Sequence, residues 1–200
     1  MPSPSSRKAA RLEFVNYKMA EVKVLIEGYT SETEGRACST ITLVKDGGIT
    51  MIVDPGSIKS RELIIKKLKD EDLTINDVNL VCITHSHLDH YKNIGMFPKA
   101  NALDYWGLWY EDRFKDWNNQ FTKDIKIIKT PGHSFDCITL LIKTSKGIVA
   151  ICGDVFWEEN LPKEDPYATD KEKLKESRKK VLEIADYIIP GHGKMFKVKK

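Results

Sequence analysis

An apolar run, NLVCIT at residues 79–84, leads without a turn residue straight into HSHLDH at residues 85–90. A short, unbroken apolar stretch between polar segments reads as a strand buried on both faces. Such a strand lies inside a sheet, so the fold must deliver its end to a sheet rim, and with it three of the chain's five histidines. The remaining two obey the same rule. His133 closes TPGH after IKIIK, His192 closes IPGH after DYI, and Asp154 closes CGD after IVAI. Every histidine, with Asp89 and Asp154, therefore stands at a strand terminus.

The segments around these ends sort by period. VKVLIEGY, STITLVKDGG and ITMIVDPG form an opening group of strands, and SRELIIKKLKD has the three-four spacing of an amphipathic helix. After the histidines and a polar, aromatic-rich region come IKIIKTPGH, CITLLIKTSKG, IVAICGD and DYIIPGHG. The helical DKEKLKESRKKVLEIA precedes the last of these. Strands in hairpins, then strands mixed with helices, imply an α/β or α+β layered domain with helices covering packed sheets.

The 200 residues, 41% hydrophobic and 30% charged, suit one globular domain with a real core, placed at residues 19–200. Residues 1–18, rich in Ser, Pro, Arg and Lys, read as a disordered or artificially appended extension. No apolar run approaches the ~20 residues that cross a bilayer, and the first residues carry no signal-peptide core, so the expectation is a cytoplasmic protein without a membrane partner. Cys38, Cys82, Cys137 and Cys152 form no CxxC pair and read as reduced core thiols. The net charge of +3 is concentrated toward the two ends, which is weak support for an anionic partner.

Residues two apart on an extended chain project to one side, so His85 and His87 can grip one ion. Asp89 and His90, just beyond, can bind a second. A His/Asp set without thiolates suits Zn²⁺, Mn²⁺ or Fe, and seven such groups at one rim fit two metal ions.

HSHLDH followed in order by PGH, GD and GH resembles the signature of the metallo-β-lactamase fold hydrolases, over residues 20 to 195. The resemblance implies a four-layer αβ/βα sandwich with two Zn ions at one edge. It places His85, His87 and His133 on the first metal, Asp89, His90 and His192 on the second, and Asp154 between them. Asp54 of IVDPG matches the family's early aspartate and is read as steadying the metal edge without ligating. Asp154 stands where true zinc β-lactamases carry cysteine, which makes β-lactam hydrolysis incidental. The short stretch after His192 leaves no room for the helical substrate domain of glyoxalase II-like enzymes.

What remains resembles the small single-domain members for which RNA phosphodiester cleavage has been proposed. The implied activity is hydrolysis by a metal-bound hydroxide, with Asp89 accepting the proton and a phosphodiester as substrate. The alternatives are a lactonase or other ester hydrolase, and a mononuclear iron enzyme similar to the persulfide dioxygenases. The substrate is a small molecule or single-stranded nucleic acid. Tyr105, Trp106 and Trp109, in the aromatic segment 102–114 between His90 and His133, are read as substrate-binding candidates that could stack a base or cap an acyl pocket. The loop 27–39 is expected to cover the site, with Arg36 as its substrate-facing cation.

Overall fold

The structure, a computed structural model, describes residues 18–160 and 163–199. The expected extension at 1–18 lies outside them except for Lys18. The first sheet begins with β1 (Glu21–Ile26). A small hairpin of β2 (Tyr29–Ser31) and β3 (Arg36–Cys38) follows, then β4 (Ile41–Asp46) and β5 (Ile49–Val53). Helix α1 (Arg61–Lys69) crosses over to β6 (Leu80–Cys82). A single-turn α2 (Leu88–Tyr91) leads to β7 (Asn101–Leu103), β8 (Leu108–Tyr110) and β9 (Arg113–Lys115). The seven-stranded sheet runs β1-β4-β5-β6-β7-β8-β9.

The second sheet holds β10 (Ile125–Lys129), β11 (Ile138–Thr144) and β12 (Gly147–Ile151). Helix α3 (Lys171–Ile184) crosses over to β13 (Tyr187–Ile189), and β14 (Phe196–Lys197) ends the order β10-β11-β12-β13-β14.

Side-chain alternation builds the layers. Met51 and Val53 of β5, Leu80 and Cys82 of β6, and Leu140 and Ile142 of β11 meet in one cluster between the sheets. Their in-between neighbours turn outward. Ile52 and Val81 pack on Ile64 and Leu68 of α1, while Leu141 and Ala150 pack on Leu174 and Val181 of α3. Helix, sheet, sheet and helix thus form four layers, with apolar side chains at each junction. Burying one such Leu or Ile contributes about 1.5–3 kcal/mol.

The two halves repeat one topology, although their sequences show no repeat. In each, an antiparallel hairpin feeds a helix that crosses over to a parallel strand: β4-β5-α1-β6 and β11-β12-α3-β13. Val53 pairs with Cys82 and Ile151 with Ile189, so each half carries two carboxyl ends of parallel strands side by side. Such ends are where open α/β sheets place ligands. Asp54 follows the first of these ends and His85 the second; Asp154 follows the third and His192 the fourth.

Two segments differ from expectation. Residues 27–39 contain the β2–β3 hairpin, and the aromatic segment 102–114 is built into the meander β7-β8-β9. Cys38, Cys82, Cys137 and Cys152 are buried and free. Burial pushes the Cys82 and Cys152 thiols well up from their ordinary value, as expected of inert core groups. Among the described residues, no helix is long and apolar enough to cross a membrane.

Candidate metal centre

Loops from the two sheets are laced together at the common rim. The amide of Thr40 donates to the Gly191 carbonyl at 2.6 Å and that of Ile138 to the Thr84 carbonyl at 2.9 Å, while within the first half the Ser39 amide donates to the Asp89 carbonyl at 3.2 Å. This lacing gathers side chains that are far apart in sequence. His85, His87, His133 and Asp154 offer donor atoms all within 4.8 Å of one another, and so do Asp89, His90 and His192.

Asp154 joins the two sets. Its Oδ1 lies 3.2 Å from His90 Nε2 and 3.4 Å from His192 Nε2. Its Oδ2 lies 3.4 Å from His133 Nε2 and 3.9 Å from His85 Nε2. One carboxylate therefore turns an oxygen to each group of imidazoles. Asp89, the most exposed of the acidic donors, stands 3.4 Å from His192 Nε2 and 3.8 Å from His90 Nε2.

Four of the five histidines are oriented from behind. His90 Nδ1 donates to Asp54 Oδ2 at 2.8 Å, His133 Nδ1 to Asp165 Oδ2 at 2.5 Å, and His192 Nδ1 to the Cys38 carbonyl at 2.9 Å. The Thr84 hydroxyl donates to Asp54 at 2.7 Å, which commits its only proton. It therefore accepts from His85 Nδ1 at 3.2 Å. Asp54 thus governs one histidine of each set, and it does so from a left-handed backbone (φ 50°) held by the Thr84 amide and hydroxyl. The four Nε2 lone pairs are left facing inward. His87 turns Nδ1 instead, 3.0 Å from His133 Nε2.

These residues fit a metal. His85 Nε2, His90 Nε2 and Asp154 Oδ1 are buried with no hydrogen-bond partner. Two imidazole lone pairs facing at 3.0 Å repel unless a proton or a cation lies between them, and buried polar atoms left unpartnered are costly. Protonation follows the same arrangement. Burial, with neighbouring His90 adding to it, pushes His85 well below its ordinary pKa. For His90, burial acts downward but Asp154 and Asp54 outweigh it, and the ring is held well above its ordinary value. Burial likewise opposes the ionisation of Asp154, yet the facing His90 and His192 hold its carboxyl well below the usual carboxylate range. A divalent cation replaces this buried positive charge at the same atoms.

The donor sets floor a cleft of about 560 Å³. One wall is the β2–β3 hairpin, with Arg36 and Ala37; the other carries Trp157, Pro166 and Tyr167. The rings of Trp157 and Tyr167 stack at 5.6 Å, 13° from parallel. Arg36 lines the cleft, but its guanidinium is paired with Glu34 at 2.9 Å and lies over the Tyr29 ring.

Tyr105, Trp106 and Trp109, read as substrate-binding candidates, do not line this cleft. Tyr105 and Trp106 line a separate depression, and Trp109 is packed on Phe114 with its Nε1 bonded to Asp104 at 3.0 Å. The meander draws them away because β7 pairs with β6 and carries β8 and β9 to the sheet edge. The aromatic groups that line the cleft with the donor sets are Trp157 and Tyr167, which the sequence reading missed. Asp165 was missed as well, and only the short stretch DPY marks it.

Comparison with known proteins agrees with this geometry. Residues 38–118 match the metallo-beta-lactamase superfamily profile. Metallo-beta-lactamase domain-containing protein 1 of Xenopus laevis is 33% identical over 192 residues, covering 90% of this chain and 82% of that protein. The chain belongs to the metallo-beta-lactamase superfamily. A probable metallo-hydrolase of Methanocaldococcus jannaschii is 32% identical over 89% of this chain and 90% of its own length. In fold, a Thermotoga maritima protein assigned to the metallo-beta-lactamases superposes with a TM-score of 0.73 at 22% identity, over 90% of this chain and 99% of that one. The chain is a metallo-hydrolase of the metallo-beta-lactamase superfamily, with a His/Asp cluster able to hold metal ions.

Proposed function

We propose that the protein is a dinuclear hydrolase that cleaves phosphodiesters, with single-stranded nucleic acid as its substrate class and zinc as its metal. The observation that carries the reading is the division of the donors by Asp154, one oxygen toward His85 and His133 and the other toward His90 and His192. In it, His85, His87 and His133 would hold one cation and Asp89, His90 and His192 another, with Asp154 available to both sets. Two divalent cations supply Lewis acidity and make water acidic enough to lose a proton near neutral pH.

The chain's own groups account for the rest. Asp89, partly exposed at the cleft floor, accepts the proton of the attacking water. Arg36 stands on the cleft wall, where a guanidinium offsets phosphate charge, and the Trp157–Tyr167 pair offers a flat face to a base. Asp54 and Asp165 fix imidazole orientation, so little reorganisation is left for the reaction itself. The second set of donors favours this reading over a mononuclear iron dioxygenase.

A lactone or other ester is the second reading. It is favoured by the apolar parts of the wall, Ala37 and Pro166, and by the pairing of Arg36 with Glu34. Metal-loaded protein assayed on bis-p-nitrophenyl phosphate, single-stranded RNA and an acyl lactone separates the two. The proposal expects phosphodiester cleavage that Asp89→Asn lowers by at least about 100-fold. Lactone turnover lost in that variant, beside RNA cleavage that survives in it as a contaminant, overturns the phosphodiester reading.

A further inference from the structure

Trp106 is 57% exposed, a costly position for the largest apolar side chain, and the backbone is built to keep it there. The Asp104 carboxylate accepts from the amides of Trp106 at 2.9 Å and Gly107 at 3.0 Å, and from Trp109 Nε1 at 3.0 Å. The Asp104 carbonyl accepts from Trp117 Nε1 at 2.8 Å. Four hydrogen bonds to one residue make the β7–β8 turn a rigid stand, so little entropy remains to be lost when the ring is covered.

The exposed ring does not stand alone. Phe135, 62% exposed and two residues past His133, lies 6.3 Å from Trp106 and 6.1 Å from Tyr105 between ring centroids. It adjoins two of the rings that line a depression on this side of the molecule. That depression, about 430 Å³, is lined by Tyr105, Trp106, Trp117, Asp116, Lys129 and Lys180. The Lys129 ammonium sits 3.8 Å over the Tyr105 ring. Trp157, 6.2 Å from the His133 ring, and the 62% exposed Tyr167 stacked on it form a second aromatic platform.

Exposed flat rings at intervals, with ammonium groups beside them, match a chain of bases joined by phosphates. A folded protein partner needs a broad apolar patch, and an acidic peptide has no flat faces to stack. We infer that Phe135, Trp106 and the Lys129–Lys180 depression form a secondary binding track for single-stranded nucleic acid, with one base stacked on Trp106 while the backbone continues across the metal cleft. This rests on the phosphodiester reading for the part of the strand in the cleft, whereas the track itself can be measured as binding alone.

The test is fluorescence anisotropy of a labelled ten-residue phosphorothioate oligoadenylate with zinc-loaded protein, in wild type, Trp106→Ala, Phe135→Ala and Phe114→Ala. Phe114 is equally exposed on the same meander but lies outside the depression. The expected result is affinity about 5- to 50-fold weaker in Trp106→Ala and Phe135→Ala, with Phe114→Ala like wild type. Affinity in all variants should also fall steeply between roughly 50 and 200 mM salt. Equal affinity in the Trp106 variant and wild type, no binding in wild type, or equally effective competition by polyglutamate overturns the track. Trp106-dependent binding without hydrolysis of any phosphodiester leaves the track standing and removes the catalytic reading instead.

Discussion

Gly191 lies so close to Asp154 that a Cβ built on it falls 1.8 Å from Asp154 Oδ1. The missing side chain is what lets the carboxylate between the two donor sets reach His90 and His192. Gly191 is fixed in turn by backbone bonds, its amide to the Phe156 carbonyl at 2.8 Å and its carbonyl to the Thr40 amide at 2.6 Å, so it cannot retreat cheaply.

Gly191→Ala should therefore displace Asp154 while leaving both sheets intact. The expected outcome is a wild-type far-ultraviolet circular dichroism spectrum with metal affinity lowered by at least about 10-fold. Wild-type metal affinity in this variant would contradict the role given to the glycine.

Asp165 should act on metal binding through His133. Its carboxylate, fully buried, accepts from His133 Nδ1 at 2.5 Å, and its other oxygen accepts from the Tyr167 amide at 2.9 Å. Asp165→Asn keeps the volume but replaces a charged acceptor by a neutral amide. Chelator competition should show metal binding about 10- to 100-fold weaker, the usual effect of losing an outer partner of a ligating imidazole. An unchanged competition curve would mean that packing alone orients the ring.

Asp136 gives a pH dependence. It accepts from the Ser86 amide at 3.0 Å and from the hydroxyls of Ser86 and Ser134, tying the loop of His85 and His87 to that of His133. Burial opposes its ionisation, but the Ser134 and Ser86 hydrogen bonds prevail and hold the carboxyl below its ordinary value. A depressed folded value contributes stability above the unfolded value, about 3.9. That stability is lost as pH falls through the folded one. Urea unfolding of metal-stripped wild type and Asp136→Asn should show a gap at pH 6 that closes as pH falls below about 4. A gap constant over that interval would assign the effect to shape and not to charge.

The positions of the gathered His and Asp side chains were legible because each is local: a strand pattern, then His or Asp directly or after a Pro-Gly or Gly turn. The layers were legible for the same reason, as the alternation of β5, β6 and β11 and the three-four spacing of α1 are written in consecutive residues. Asp165 acts on a histidine 32 positions away and leaves no periodic trace. The place of the aromatic segment was not legible, because its pattern says that rings are present but not which rim a meander carries them to. The β2–β3 hairpin escaped because its strands are three residues each and mostly exposed, too short to show a period.

The central claim is that Asp154 divides the donors between two ions, and counting metal tests it most directly. Wild type and Asp154→Ala would be loaded with zinc, freed of excess by gel filtration, and measured by elemental analysis against protein concentration, with circular dichroism confirming that both are folded. The account predicts about two zinc ions per wild-type chain and no more than about one in the variant. One ion per chain in both proteins would contradict it.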